Sequence, residues 1–192
     1  MPIPVTTEPL EIPDVLLVRG RFIEDNRGFF TEIYSQAAFK DAGLTPSFVQ
    51  DNFSESVKGV VRGLHYQIEP HAMGKLVRVL RGSVFDVAVD LRDGSPYFGD
   101  WTGHTLTAEE PAALWIPPGF AHGFMALTDG AQLFYKCTDV HTPEAERAIR
   151  YDDPAIGIEW PWEPTLISEK DAAAPSMAEA EFNFAMTGKE AE

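Results

Sequence analysis

Apolar and polar positions alternate with a period of two through most of the chain, in short runs rich in β-branched and aromatic residues separated by Gly, Pro, Asp and Asn. That period puts successive side chains on opposite faces of an extended backbone, so the runs predict half-buried strands. Strands are expected over Val15 to Arg19, Gly28 to Tyr34, Phe48 to Ser54, Val60 to Gln67, Leu76 to Arg81, Val84 to Leu91, Ala113 to Ile116 and Gln132 to Thr138. Arg81-Gly82-Ser83 predicts an antiparallel hairpin between two of them, with Gly82 free to take a positive φ. Two short helices fit the remainder, Ser35 to Ala42 with Ser35 as N-cap, and one beginning at Ser168. Eight or more strands and no organising helix predict an all-β jelly roll or barrel.

Length and composition refine this picture. The 192 residues, 44 % of them hydrophobic, suit one domain with a sizeable core. Its end is Ala-, Glu- and Met-rich and carries no chemistry, which divides the chain into a domain over 1–175 and an acidic tail over 176–192. No run approaches the roughly 20 apolar residues of a membrane span, and the first residues lack a leader pattern, so a cytoplasmic protein without a membrane partner is expected. Cys137 is the only cysteine, which reads as a core thiol. The formal net charge of -15 opposes nucleic-acid and anionic-lipid partners. An anionic small molecule remains possible where the scarce basic residues converge.

Candidate chemistry is concentrated in a few strands. Arg62, His65, Tyr66 and Gln67 fall in one half-buried strand, Lys75 begins the next, His122 follows a Pro-Pro-Gly-Phe-Ala turn, and Tyr135 sits in an apolar run. In a small barrel such residues meet inside the cavity. Pro117 to His122 is similar to the second motif of metal-binding cupins, but the hairpin from Lys75 to Asp86 lacks the histidines of the first. The spacing of His65, His71 and His122 matches no metal motif, so no metal is expected. Proton transfer beside a carbonyl fits better, since it needs a base, a cation for the enolate oxygen and an acid on the opposite face. His65, Lys75 and Tyr135 are the right chemical types, and no cofactor is required. A carboxylate would orient His65, and Asp171 is one candidate among many.

In order along the chain, Asp25 to Glu32, Gln50-Asp-Asn52, Arg62 to Gln67, Gly74-Lys-Leu-Val-Arg-Val, Phe85 to Arg92, Pro118 to Phe124, Tyr135 to Thr138, Glu146-Arg147 and Ser168 to Asp171 resemble the dTDP-4-dehydrorhamnose 3,5-epimerase family. The resemblance implies a cupin-type barrel that inverts carbons 3 and 5 of a dTDP-4-keto-6-deoxyhexose. It also implies that His65 is the base paired with Asp171, that Tyr135 is the acid, and that Lys75 steadies the enolate. By the same resemblance Arg27, Glu32, Gln50, Asn52, Arg62, His122, Glu146 and Lys170 hold the nucleotide, its diphosphate or the sugar. A homodimer with exchanged N-terminal strands is implied as well, in which Arg27 to Glu32 reach the neighbour's pocket.

Two features of this chain stand apart from the family pattern. Val140-His141 occupies the place of tyrosines, one of which stacks on thymine, so His141 would have to stack instead and the base preference is open. Met73 replaces a residue that is commonly polar. A difficulty also arises from geometry: Arg62 and His65, three positions apart, point to opposite faces of a regular strand. A bulge or bend at Gly63 is therefore expected. Inversion of one carbon only, another nucleoside diphosphate, and a non-catalytic binding cupin all remain as alternatives.

Overall fold

Two antiparallel sheets face each other, and the computed structural model describes them within residues 2–186. With strands numbered in chain order, the larger sheet runs β1 (Thr6–Pro9), β2 (Leu16–Arg19), β10 (Ala112–Ile116), β7 (Lys75–Arg81), β12 (Ala131–Cys137), β5 (Gln50–Ser56). The smaller runs β13 (Glu146–Ala148), β6 (Val61–Gln67), β11 (Phe120–Ala126), β8 (Ser83–Asp90), β9 (Trp101–Thr107). A separate ribbon pairs β3 (Ile23–Asp25) with β4 (Gly28–Phe30), and the helices are α1 (Gln36–Asp41) and α2 (Glu169–Ala172). This is the expected jelly roll. None of the helices among the described residues is long and apolar enough to cross a membrane.

Strand periodicity sorts the side chains into layers. Val77 and Val79 of β7, Leu133 of β12, Val84 and Ala88 of β8, and Phe120 and Phe124 of β11 meet between the sheets. Lys75, Tyr135, Asp86 and His122 share their strand parity with these residues and so belong to the same inner layer. The alternate positions Val87, Val89 and Ala121 face outward into a second core, closed by Ile149, Ile156 and Phe184. A third cluster packs Phe39 of α1 and Leu44 over Val18, Leu76 and Ala113 of the larger sheet. Residues 176–186 lie within this packing: Phe184 is buried, the Tyr66 hydroxyl donates to the Glu181 carbonyl at 2.8 Å, and Glu69 N–H donates to Asn183 Oδ1 at 2.9 Å. The remainder of the expected tail, 187–192, lies outside the described residues.

Several elements differ from the sequence reading for physical reasons. Gly82 does turn the chain, at φ 71°, but the strands it joins lie in different sheets, β7 bonded to β10 and β12, β8 to β11 and β9. The same glycine conformation serves a hairpin and a corner between layers. The expected strand from Gly28 to Tyr34 is short, ending at Phe30. β11 was not expected, because all seven of its residues are buried and a strand covered on both faces shows no alternation. Ser168 caps α2 by accepting from Asp171 N–H, whereas Ser35 stands at the start of α1 without a side-chain cap bond.

Candidate active site

The site begins with an extra residue in β6. His65 pairs with His122 and Arg62 with Phe124, so β6 takes three steps where β11 takes two. The irregularity falls at Gly63, whose φ is 123° and whose place leaves no room for a side chain: a Cβ there would lie 2.6 Å from Gly123 Cα and 2.7 Å from the His122 carbonyl oxygen. The expected departure from a regular strand is thus present, and Arg62 and His65 line one cavity.

That cavity has two lobes sharing His65, Lys75 and Tyr135. One, of about 450 Å³, is also lined by Arg62, His122, Lys170 and Asp171. The other, of about 400 Å³, is lined by Gln50, Asn52, Met73, His141 and Glu146. His65 comes from the smaller sheet, Lys75 and Tyr135 from the larger, so the imidazole and the phenol approach the cavity from opposing layers.

His65 Nε2 lies 2.6 Å from Asp171 Oδ1, and Asp171 is almost completely buried. Burial alone would raise the Asp171 pKa, but its hydrogen bonds from His65 and Gly63 N–H and the charge of His65 outweigh this and hold it below the usual carboxylate range. With Asp171 ionised, Nε2 carries the imidazole proton and Nδ1 is the basic nitrogen. α2 makes this possible by presenting Asp171 one turn after its cap Ser168.

Lys75 Nζ donates to the His65 carbonyl at 3.4 Å. Burial depresses its pKa, against the opposing pull of Cys137, Asp86 and Glu146. Burial likewise raises the Tyr135 phenol, which therefore holds its proton at neutral pH. A second pair lies beneath them: His122 Nε2 is 3.0 Å from Asp86 Oδ1, both groups deeply buried. Burial, with the charge of Lys75 adding to it, keeps His122 neutral despite Asp86, so its Nε2–H is committed to that carboxylate. Asp86 was not singled out from the sequence, although a carboxylate in the middle of the apolar run Val84 to Val89 was a signal.

Glu146 of the second lobe links the two: Lys170 Nζ, from the first lobe, meets its Oε2 at 2.6 Å, and His141 Nε2 approaches the same oxygen at 3.6 Å. Burial works against ionisation of Glu146, but the hydrogen bond and charge of Lys170, with a smaller contribution from His141, prevail and its pKa is lowered. Gln50 donates to Asn52 Oδ1 at 3.0 Å and Asn52 to Cys137 Sγ at 3.4 Å, which gives the buried thiol a packing role. Three sequence candidates stay apart from the cavity within this chain. Arg27 is on the β3–β4 ribbon, exposed and bound to Asp25, and Glu32 follows the ribbon. His71 pairs with Asp139 at 3.2 Å, so the trio His65, His71 and His122 is not assembled.

Residues 9–179 match the family model described as dTDP-4-dehydrorhamnose 3,5-epimerase. The chain belongs to this family. A dTDP-4-dehydrorhamnose 3,5-epimerase of Pseudomonas aeruginosa is 54 % identical over 174 residues, 90 % of this chain and 96 % of the relative. The fold is similar to that of the Legionella pneumophila 3,5-epimerase solved with dTDP-4-keto-L-rhamnose, with a TM-score of 0.90, 44 % identity and coverage of 95 % of this chain and 100 % of that one. It is similar at a lower identity, 35 %, to a 3'-monoepimerase of Streptomyces bikiniensis solved with dTDP-quinovose, with a TM-score of 0.83 and coverage of 89 % and 87 %. Family membership explains why groups so far apart in sequence converge on one cavity.

Proposed function

We propose that the protein converts dTDP-4-dehydro-6-deoxyglucose to dTDP-4-dehydrorhamnose, inverting carbons 3 and 5 through enolates of the C4 ketone. The observation that carries this reading is the oriented base His65 facing the phenol of Tyr135 across a cavity that also holds the Lys75 ammonium. His65 Nδ1 removes the proton from the carbon beside the ketone, and the C–H electron pair moves onto the carbonyl oxygen. Lys75 stabilises the oxyanion in a site of low dielectric. Tyr135 then delivers its proton to the opposite face of the same carbon, and the carbonyl re-forms. His65 and Tyr135 return to their starting states by exchange with solvent, and the cycle repeats at the second carbon. Arg62 and Lys170 bring positive charge to a cavity in an acidic protein, where a diphosphate needs it. His141 takes the place of an aromatic platform for the base. The reaction is a cytoplasmic step of deoxysugar synthesis.

Incubation of the substrate in D₂O tests this directly. Deuterium is expected at both C3 and C5, with inversion at both; exchange at one carbon only would make the protein a mono-epimerase, and none would make it a binding protein.

The working unit is a homodimer. The ribbon carrying Arg27 exposes Phe29 and Phe30, both 62 % accessible. On the outer face of the larger sheet Phe53, Phe134 and Arg78 lie in one row across β5, β12 and β7. Phe53 is 60 % accessible, while the Arg78 Nε is buried without a hydrogen-bond partner. A second copy seated here would cover the phenylalanines, supply an acceptor to Arg78 and bring Arg27 and Glu32 to its neighbour's cavity. The N-terminal strand β2 is already flanked by β1 and β10 of its own chain, so the ribbon is the better candidate for exchange. Light scattering at micromolar concentration should give twice the chain mass, and Phe53→Glu should dissociate the dimer and lower activity; a fully active wild-type monomer would overturn this.

A further inference from the structure

We infer that Gln67 is a positioning residue for nucleotide recognition, acting by holding the backbone that carries His141. This rests on the reading of His141 as the platform for the base. Gln67 is the last residue of β6, and its side chain is buried. Its Oε1 accepts from Thr142 N–H at 2.7 Å, and its Nε2 donates to the Val140 carbonyl at 3.2 Å and to the His71 carbonyl at 2.9 Å. From the opposite sheet, Gln50 Oε1 accepts from His141 N–H at 2.9 Å. Three successive residues, Val140, His141 and Thr142, therefore each have a backbone group fixed by a glutamine amide that projects from a strand.

The side chain of His141 has no comparable support. It is 53 % accessible, and its nearest charged partner, Glu146, is 3.6 Å away, beyond hydrogen-bond distance. The position of the imidazole over a ligand is thus set by its backbone, and the backbone is set by Gln67 and Gln50. A ring as small as imidazole tolerates little lateral error when it lies against a base, so the clamp matters more here than beneath a larger aromatic ring. Gln67 also ties the 139–142 loop to the 68–74 loop through His71, closing the wall of the second lobe with a single amide.

The test is calorimetric titration of dTDP into Gln67→Met, Gln67→Glu, His141→Ala and the Gln67→Met/His141→Ala double variant, with kcat and KM measured alongside. Gln67→Met removes all three bonds at similar side-chain length. Gln67→Glu keeps the acceptor for Thr142 and loses both donors, and it stands in should Gln67→Met not fold. Each single variant is expected to weaken dTDP binding about tenfold, with the loss in KM rather than in kcat, and the double variant to be no weaker than either single one. Wild-type affinity in both Gln67 variants beside an impaired His141→Ala would overturn the inference, as would additive losses or a fall in kcat matching the rise in KM. Unchanged affinity in His141→Ala would instead sink the reading of His141 itself.

Discussion

Replacing His65 by alanine is expected to lower both product formation and solvent deuterium incorporation by about a thousandfold, the range that a positioned general base contributes. The His65 imidazole is oriented by a buried carboxylate, through the 2.6 Å contact to Asp171, and is more accessible than the buried His122 imidazole held by Asp86. Asp171→Asn separates the two functions of that pair. An amide can still hydrogen-bond the ring, but it favours the wrong tautomer and does not stabilise the imidazolium formed in the first step. The rate should fall by about a hundredfold or more, while dTDP affinity stays within about twofold, because Asp171 acts on the substrate only through His65. Isothermal calorimetry and proton NMR in D₂O read the two quantities independently. Near-normal exchange in His65→Ala would assign the base elsewhere; equal losses of binding and rate in Asp171→Asn would make its role structural.

The parts of this arrangement that were legible in the sequence follow from local rules. Strand period two placed Lys75 and Tyr135 on inward positions, and the conflict between Arg62 and His65 pointed to an irregularity at Gly63, where the register shift is found. What was hidden depends on burial from two sides or on contacts distant in the chain. β11 lacks alternation because the smaller sheet is covered on both faces, so the sequence pattern shows only the turn before His122 and not the strand in which it sits. By residue type alone Asp171, 106 residues from His65, is one carboxylate among many; only the family resemblance points to it, and α2 supplies the placement. The Gly82 turn looked like a hairpin because local geometry does not specify which sheet the next strand joins. Arg27 and Glu32 illustrate the limit most clearly: their family motif was evident, but one chain does not bring them to its own cavity.

Tyr135→Phe is expected to uncouple exchange from inversion. The phenol lies on β12 of the larger sheet, opposite the His65 strand, and burial keeps it protonated. As the acid it acts only after the base has removed a proton, so the phenylalanine variant should still form the enolate and still exchange substrate hydrogens with solvent through His65. It should form little inverted product, with the ratio of exchange to inversion rising by about a hundredfold. A tyrosine used only to satisfy a core hydrogen bond behaves differently. Its loss would cost about 1 kcal/mol and would reduce exchange and inversion together through the folded fraction, leaving their ratio unchanged. The ratio thus distinguishes an acid from a packing residue even if the variant is less stable. A wild-type ratio in Tyr135→Phe would transfer the acid to another group, and an ordered water in the cavity would be the next to test.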